Sequence, residues 1–125
     1  DLHVDVPAID FKELSSERSG EGSSQLRERI ERARQVQALR FMNESRIVTN
    51  GSMASGLVRK HCRLDDEGSG LLEQAMSELN LSARAHGRIL KIARTLADLD
   101  GEGDIKTNHV LEAIQYRTLD REIWI

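Results

Sequence analysis

The alternation of hydrophobic and polar positions predicts a chain built mainly from helices. The clearest pattern runs from Leu81 to Asp100, where apolar residues recur at the spacing of one helix face. Its apolar arc comprises Ala85, Ile89, Leu90, Ile92, Ala93, Leu96, Ala97 and Leu99. Its polar arc comprises Arg84, Arg88, Lys91, Thr95 and Asp98. We therefore expect the apolar arc to face the core and the polar arc to face outward.

Four further helices are predicted around this one, at residues 25–41, 54–62, 70–79 and 107–120. In the first, Ser24 is the expected N-cap, and the apolar stripe comprises Leu26, Ile30, Ala33, Val36 and Phe41. In the last, Thr107 is the expected N-cap, and the inward residues are Val110, Leu111, Ala113 and Ile114. The pattern as a whole predicts a small all-α fold of four to five helices.

Capping residues predict how the central helix begins. Asn80 suits the left-handed position that ends the preceding helix, and Ser82 suits the N-cap of the next one. Arg84 would then occupy the second helical position. A cation is unfavourable there by a few tenths of a kcal/mol unless an anion is nearby, and helix N-termini bind phosphate. The spacing alone fits a phosphate contact and a solvated surface arginine equally.

The first 24 residues differ from the rest. Residues 1–6 alternate apolar and polar side chains and are followed by Pro7, a pattern typical of a half-buried strand. Nothing downstream reads as a partner strand, so we expect this strand to be severed from a larger sheet. Residues 15–24 contain no apolar residue and indicate a flexible linker.

Composition narrows the possible functions. The chain has 125 residues, 18 basic and 21 acidic side chains and a net charge of -3, which is the wrong sign for a free-standing nucleic-acid binder. A single cysteine, Cys62, has no partner for a disulfide and lacks the spacing of a zinc site. No apolar run is long enough to span a bilayer. We expect a cytoplasmic domain with no metal and no membrane contact.

Four stretches resemble the C-terminal end of the magnesium-chelatase-like AAA+ ATPases of the bacterial YifB and ComM type. They are Asp1-Leu-His-Val-Asp-Val-Pro, Leu26-Arg-Glu-Arg-Ile-Glu-Arg-Ala-Arg, Cys62-Arg-Leu-Asp, and residues 81–98 together with 112–121. The resemblance implies that residues 1–14 hold the last strand of an ATPase core and its connection, and that residues 25–125 form the helical lid. It also implies that Arg84 is the sensor II residue, which contacts the nucleotide phosphates, with Arg88 one turn further on the same face.

The same resemblance sets expectations for function. The parent protein would bind ATP with magnesium and hydrolyse it in a homo-oligomeric ring, where the lid meets its own ATPase core and neighbouring subunits. Similarity to the ComM type implies a DNA-remodelling helicase, and similarity to true chelatases implies metal insertion into a porphyrin. A non-enzymatic helical interaction module is the other reading. The chain lacks the Gly-x-x-x-x-Gly-Lys-Ser/Thr motif, so by itself it should neither hydrolyse ATP nor bind it tightly.

Two histidines need separate interpretation. His86 lies inside the apolar arc of the central helix, and we expect a core-edge histidine with a hydrogen-bond partner. His61 precedes Cys62, but adjacent helical residues point about 100° apart, which argues against a nucleophile pair. Trp124, near the chain end, is expected to dock on the core.

Overall fold

The computed structural model describes residues 22–123 apart from residues 45 and 48, and for residues 118–123 it describes the backbone alone. The helices are α1 (Ser23–Arg40), α2 (Ser55–His61), α3 (Asp66–Glu78), α4 (Ala83–Leu99) and α5 (Thr107–Ile123), with a short 3-10 helix at Asn50–Ser52. These residues contain no strand, so the predicted all-α fold is confirmed. The strand predicted at residues 1–6, residues 15–21 of the linker and Trp124 lie outside the described residues.

Helix α4 is the centre of the bundle. It packs most extensively against α5, and it also contacts α1, the 3-10 helix and α2. Ile89, Ala93 and Ala97 on its apolar arc are completely buried. Small residues at two of these positions let neighbouring helices approach α4 closely, which suits a central helix.

Helix α1 begins earlier than its sequence pattern suggests. Ser23 is its first residue and Gly22 its N-cap, so the prediction of Ser24 as the cap is wrong. The side chain of Gln25 accepts a hydrogen bond from the Gly22 N–H at 3.3 Å. This contact satisfies a backbone group at the helix start and extends α1 into the predicted linker.

The apolar stripe predicted on α1 is only partly buried. Ala33 and Phe41 are in the interior, and so is Gln37. The other three stripe residues are exposed by 43%, 43% and 41%, namely Leu26, Ile30 and Val36. Helix α1 packs mainly against α4, and its contact lies toward its C-terminal end.

Helix α3 also starts before its predicted first residue, Gly70. Its N-cap is Asp65, whose carboxylate accepts a hydrogen bond from the Gly68 N–H at 2.7 Å. Asp66 and Glu67 occupy the first turn, where the positive end of the helix dipole favours acidic side chains. Asp65, Asp66 and Glu67 therefore form the beginning of helix α3.

Helix α5 follows the predicted pattern with two corrections. Val110, Ala113 and Ile114 are buried, but Leu111 is 45% exposed, so its predicted inward orientation is wrong. Thr107 is the first residue of the helix, not the residue before it. The start of α5 is instead tied by His109, whose Nδ1 accepts a hydrogen bond from the Lys106 N–H at 2.9 Å.

Candidate functional site

The junction of α3 and α4 aims the first turn of α4. Asn80 is in the left-handed region with φ 50°, and the Leu81 N–H donates to the Met76 carbonyl at 3.0 Å. This is the hydrogen bond of a Schellman motif. Ser82 then caps α4, because its hydroxyl accepts from the Ala85 N–H at 3.2 Å. Both capping predictions are confirmed, and Arg84 is the second residue of the helix.

Arg84 and Arg88 line one concave surface. It is an open cavity of about 960 Å³, which we call the cationic groove. Four cationic side chains line it, namely Arg59, Arg84, Arg88 and Lys91. Among the residues whose side chains the structure describes, none that lines the groove is acidic. This described lining is therefore rich in cationic side chains, although the chain as a whole carries a net charge of -3.

The groove has an apolar floor on the same helix. Ile92, Leu96 and Leu99 line it and are half-buried, and Tyr116 of α5 joins them. Sequence periodicity places the first three in the apolar arc, but the structure leaves each of them partly accessible. The surface can accordingly accept a ligand or a partner that combines an anionic part with an apolar part.

The 3-10 helix also contributes to the groove. Gly51 lines it, and the Lys91 ammonium donates to the Gly51 carbonyl at 3.2 Å. The Asn50 amide donates to the Thr95 hydroxyl at 3.1 Å. These two bonds fasten the 3-10 helix to α4, so the groove is built from segments about 40 residues apart in the sequence.

A buried polar network lies at the other end of α4, and we call it the clamp. It consists of Arg40, Asn50, Arg94 and Asp98. The Arg40 guanidinium donates two hydrogen bonds of 2.8 Å to the two carboxylate oxygens of Asp98. The Asn50 amide donates to the same carboxylate at 2.8 Å, and Arg94 lies 3.2 Å from it. The Asp98 side chain has no exposed surface.

The clamp contradicts the sequence-based placement of Asp98. We expected this residue to face outward on the polar arc, and the structure buries it because three cationic or amide groups surround the carboxylate. Burial by itself raises the pKa of Asp98, but the hydrogen bonds from Arg40 and Asn50 and the charges of Arg40 and Arg94 together lower it below its ordinary value of 3.8. Asp98 is therefore ionised at neutral pH.

The sequence profile of the family described as "Magnesium chelatase, subunit ChlI C-terminal" matches residues 20–117. The chain belongs to this family. The match takes in all of α1 to α4 and most of α5, and so includes both the cationic groove and the clamp. The family resemblance seen in the sequence is thereby confirmed.

Relatives of this magnesium chelatase domain are larger bacterial proteins. The chain is 38% identical over 122 residues to the competence protein ComM of Haemophilus influenzae, covering 97% of this chain and 23% of that protein. It is 37% identical over 102 residues to the uncharacterized protein YifB of Escherichia coli, covering 82% of this chain and 19% of that protein. The chain thus spans about a fifth of the length of the relatives it matches.

The structure brings the two predicted site residues together and adds two others. Arg84 is exposed and Arg88 is half-buried, and both line the cationic groove with Arg59 and Lys91. Arg59 lies on α2, so nothing in the local pattern of α4 could have indicated it. His86 also lines the groove but is exposed, and the expectation of a histidine at the core edge is wrong.

Sequence reasoning missed most of the clamp. Arg94 lies four residues before Asp98, outside both arcs predicted for the central helix, and such spacing permits an ion pair within one helix. The ion pair between Arg94 and Asp98 could therefore have been predicted from the sequence. Arg40 and Asn50 gave no comparable signal, because they lie 58 and 48 residues from Asp98.

Cys62 and His61 have no features of a nucleophile pair. Burial raises the pKa of the Cys62 thiol to about 11, so the reactive thiolate is scarce at neutral pH. Burial and the charge of Arg40 lower the pKa of His61. Its ring instead packs edge-on against Phe41, with the ring centroids 5.8 Å apart.

Among the described residues, no group of three or more histidine, cysteine, aspartate or glutamate residues is arranged to hold a metal ion. Within the same part of the chain, no helix has the length and apolar character needed to cross a membrane.

Proposed function

We propose that this domain is the lid of a magnesium-chelatase-like AAA+ ATPase and that Arg84 contacts the nucleotide phosphates. The observation that carries the proposal is the cationic groove, in which Arg84 stands at the N-terminus of α4 beside three further cations. Phosphate groups suit such a surface, since guanidinium groups and helix N-termini both stabilise their negative charge.

The electrostatics of α4 support an anionic ligand. The first turn of α4 contains no acidic residue, and the helix dipole makes this end positive. Arg84 therefore lies where the helix dipole already contributes positive charge. A bound phosphate would relieve this repulsion and accept charge-assisted hydrogen bonds.

We also propose which steps of ATP binding and hydrolysis belong to this domain and which belong to the rest of the parent protein. ATP with magnesium is the proposed substrate, and we propose that the hydrolytic core holds the magnesium ion. The phosphate-binding loop motif is absent from the chain. We accordingly assign the hydrolytic core to the remainder of the parent protein, with which the lid would pack, as it would with neighbouring subunits of a ring.

We propose the substrate of the parent motor by comparison with its relatives. The competence protein ComM is 38% identical to this chain, and we propose a motor that remodels DNA in the ComM manner. Metal insertion into a porphyrin is the alternative that the family description suggests. Stimulation of ATP hydrolysis by DNA, and not by a porphyrin, in the full-length protein is the result expected.

The decisive test is steady-state ATP hydrolysis by the full-length protein carrying Arg84→Ala. A charge-assisted contact to the phosphate contributes about 1.5 to 3 kcal/mol, and a contact that strengthens in the transition state can contribute more. We expect kcat to fall by about ten- to a thousandfold. Arg84→Lys should restore only part of the rate, because an ammonium cannot reproduce the planar fork of a guanidinium.

Two controls accompany this substitution. Arg34→Ala removes an exposed arginine from α1, outside the groove, and should leave kcat unchanged. Arg88→Ala removes a groove cation one turn further from the helix start and should have a smaller effect than Arg84→Ala. Equal activity of wild type and Arg84→Ala would refute the proposal.

A further inference from the structure

Helix α1 is attached to the bundle by a small apolar contact. Phe41 at its C-terminal end belongs to the main core, and Ala33 is buried, but Leu26, Ile30 and Val36 all remain more than 40% exposed. A small apolar contact stabilises an arrangement without strongly fixing its angle, because the hydrophobic effect has no direction. The orientation of α1 must therefore be set by other contacts.

The clamp supplies directional contacts at this interface. Arg40 is the last residue of α1. Its planar guanidinium group donates two hydrogen bonds of 2.8 Å to the Asp98 carboxylate. Such a bidentate arrangement restricts both the distance and the mutual orientation of the two groups. Gln37, one turn earlier, accepts a hydrogen bond from the Asn50 N–H at 2.9 Å. The Gln37 contact is buried and the Arg40 contact is largely buried, with 11% of the Arg40 side chain exposed, so water competes little with either.

The clamp is also connected to two of the elements that line the cationic groove. Asp98 lies on the same continuous helix as Arg84. Asn50 contacts the Asp98 carboxylate and belongs to the 3-10 helix, whose Gly51 lines the groove. The direction of α1 and the position of Arg84 are therefore set by one network.

We propose that Arg40 and Asp98 are positioning residues that hold Arg84 at a defined orientation relative to α1. Any domain that precedes α1 in the chain is joined to this bundle through α1, so the clamp would determine where Arg84 stands relative to that domain. The proposal rests on the proposed function of Arg84. It adds that Arg40 and Asp98, which do not themselves line the groove, control the reaction through the direction of α1.

The test is a double-mutant cycle on ATP hydrolysis by the full-length protein, with Asp98→Asn and Arg84→Ala alone and together. A misplacement of about 1 Å can cost about a hundredfold in rate, so we expect Asp98→Asn to lower kcat by about ten- to a hundredfold with little change in KM. In the Arg84→Ala background, Asp98→Asn should lower kcat by less than about twofold, since the group it positions is gone.

Two further variants separate positioning from a loss of stability. Arg40→Lys keeps the charge and removes the fork, and it should reproduce the effect of Asp98→Asn on kcat. His109→Ala serves as the destabilised control. His109 is 1% exposed and links the start of α5 to Asp100 at 2.7 Å, so these bonds lie outside the clamp. At a temperature below all of the melting transitions, His109→Ala should retain the kcat of the wild type.

The outcomes distinguish this inference from the proposed function. If Arg84→Ala leaves kcat unchanged, the proposed function fails and the inference fails with it. If Arg84→Ala slows hydrolysis but the effects of Arg84→Ala and Asp98→Asn multiply fully in the double variant, Asp98 does not act through Arg84. If Arg40→Lys and Asp98→Asn slow hydrolysis no more than His109→Ala, the clamp has only a structural role. Either of the last two results overturns the inference and leaves the proposed function intact.

Discussion

Asp98→Asn should destabilise the domain severely, although the substitution changes the side-chain volume very little. The asparagine cannot carry the negative charge that Arg40 and Arg94 share. These two guanidinium side chains are only 11% and 6% exposed, so water replaces little of the lost interaction. The variant therefore removes the carboxylate that both of these guanidinium groups contact.

The magnitude follows from the burial of the clamp. Removing one member of a buried ion pair costs about 3 to 5 kcal/mol, and the unexposed Asp98 carboxylate belongs to that class. A domain of this size has a total stability of about 5 to 15 kcal/mol. The melting temperature should consequently fall by at least about 12 °C, because each kcal/mol corresponds to roughly 4 to 8 °C in a domain of about 100 residues.

Thermal and urea unfolding of the 125-residue chain, followed by circular dichroism, measures this loss. Arg40→Gln and the double variant Arg40→Gln/Asp98→Asn complete a cycle, and the two changes should be far from additive. Arg34→Gln is the matched control, since Arg34 lies exposed on the same helix. A melting temperature for Asp98→Asn within about 2 °C of the wild type would refute the assignment of a buried ion pair.

The pH dependence of unfolding gives a second measurement on the same residue. Because the folded-state pKa of Asp98 lies below its ordinary value of 3.8, its contribution to stability is fully present well above that pH. It is lost as the pH falls below 3.8 and through the folded-state pKa. The difference in unfolding free energy between wild type and Asp98→Asn should stay constant between about pH 7 and 5. It should narrow only at lower pH, and a constant difference down to full protonation would contradict the sign of the shift.

Two further predictions concern Cys62 and Asn80. With a pKa of about 11, roughly one Cys62 thiol in a thousand is ionised at about pH 8. A thiol reagent should therefore label the folded chain far more slowly than the chain in denaturant. Equal labelling rates would contradict the burial of Cys62. Asn80 has φ 50°, so Asn80→Ala should lower the unfolding free energy by up to about 1 to 2 kcal/mol, while Asn80→Gly should have little effect or stabilise slightly. Denaturant titration of both variants checks the order, and an alanine variant as stable as the glycine variant would exclude a left-handed residue at this position.

The start of α4 could be predicted because its determinants are neighbours in the sequence. Ser82 bonds a backbone group three residues away, and Asn80 takes a conformation that its own side chain tolerates. Interactions of this range act within one or two helical turns and therefore leave a readable pattern. The same holds for the central helix and for its arginine in the first turn. The local sequence also carried the family resemblance, which the match to residues 20–117 confirms.

The exposure of individual side chains was harder to predict. Leu26 and Ile30 repeat at the spacing of a buried face, yet each is 43% exposed, because periodicity indicates which residues share a face and not how far the partner helix extends along it. Leu111 was misassigned on α5 for the same reason. His86 sits within an apolar arc whose N-terminal part borders an open groove. Burial depends on what packs opposite, and that is a property of the assembled bundle.

The sequence by itself determined that the chain is helical, where α4 begins and that Arg84 stands in its first turn, because helix periodicity and capping are local interactions. Only the tertiary structure decided that Asp98 is buried, since its partners Arg40 and Asn50 lie 58 and 48 residues away. Helical projection treats a polar side chain as solvent-facing, and this assumption fails wherever distant parts of the chain supply enough hydrogen bonds and opposite charge to replace water. Arg59 and Gly51 entered the cationic groove in the same way, through packing of α2 and the 3-10 helix against α4.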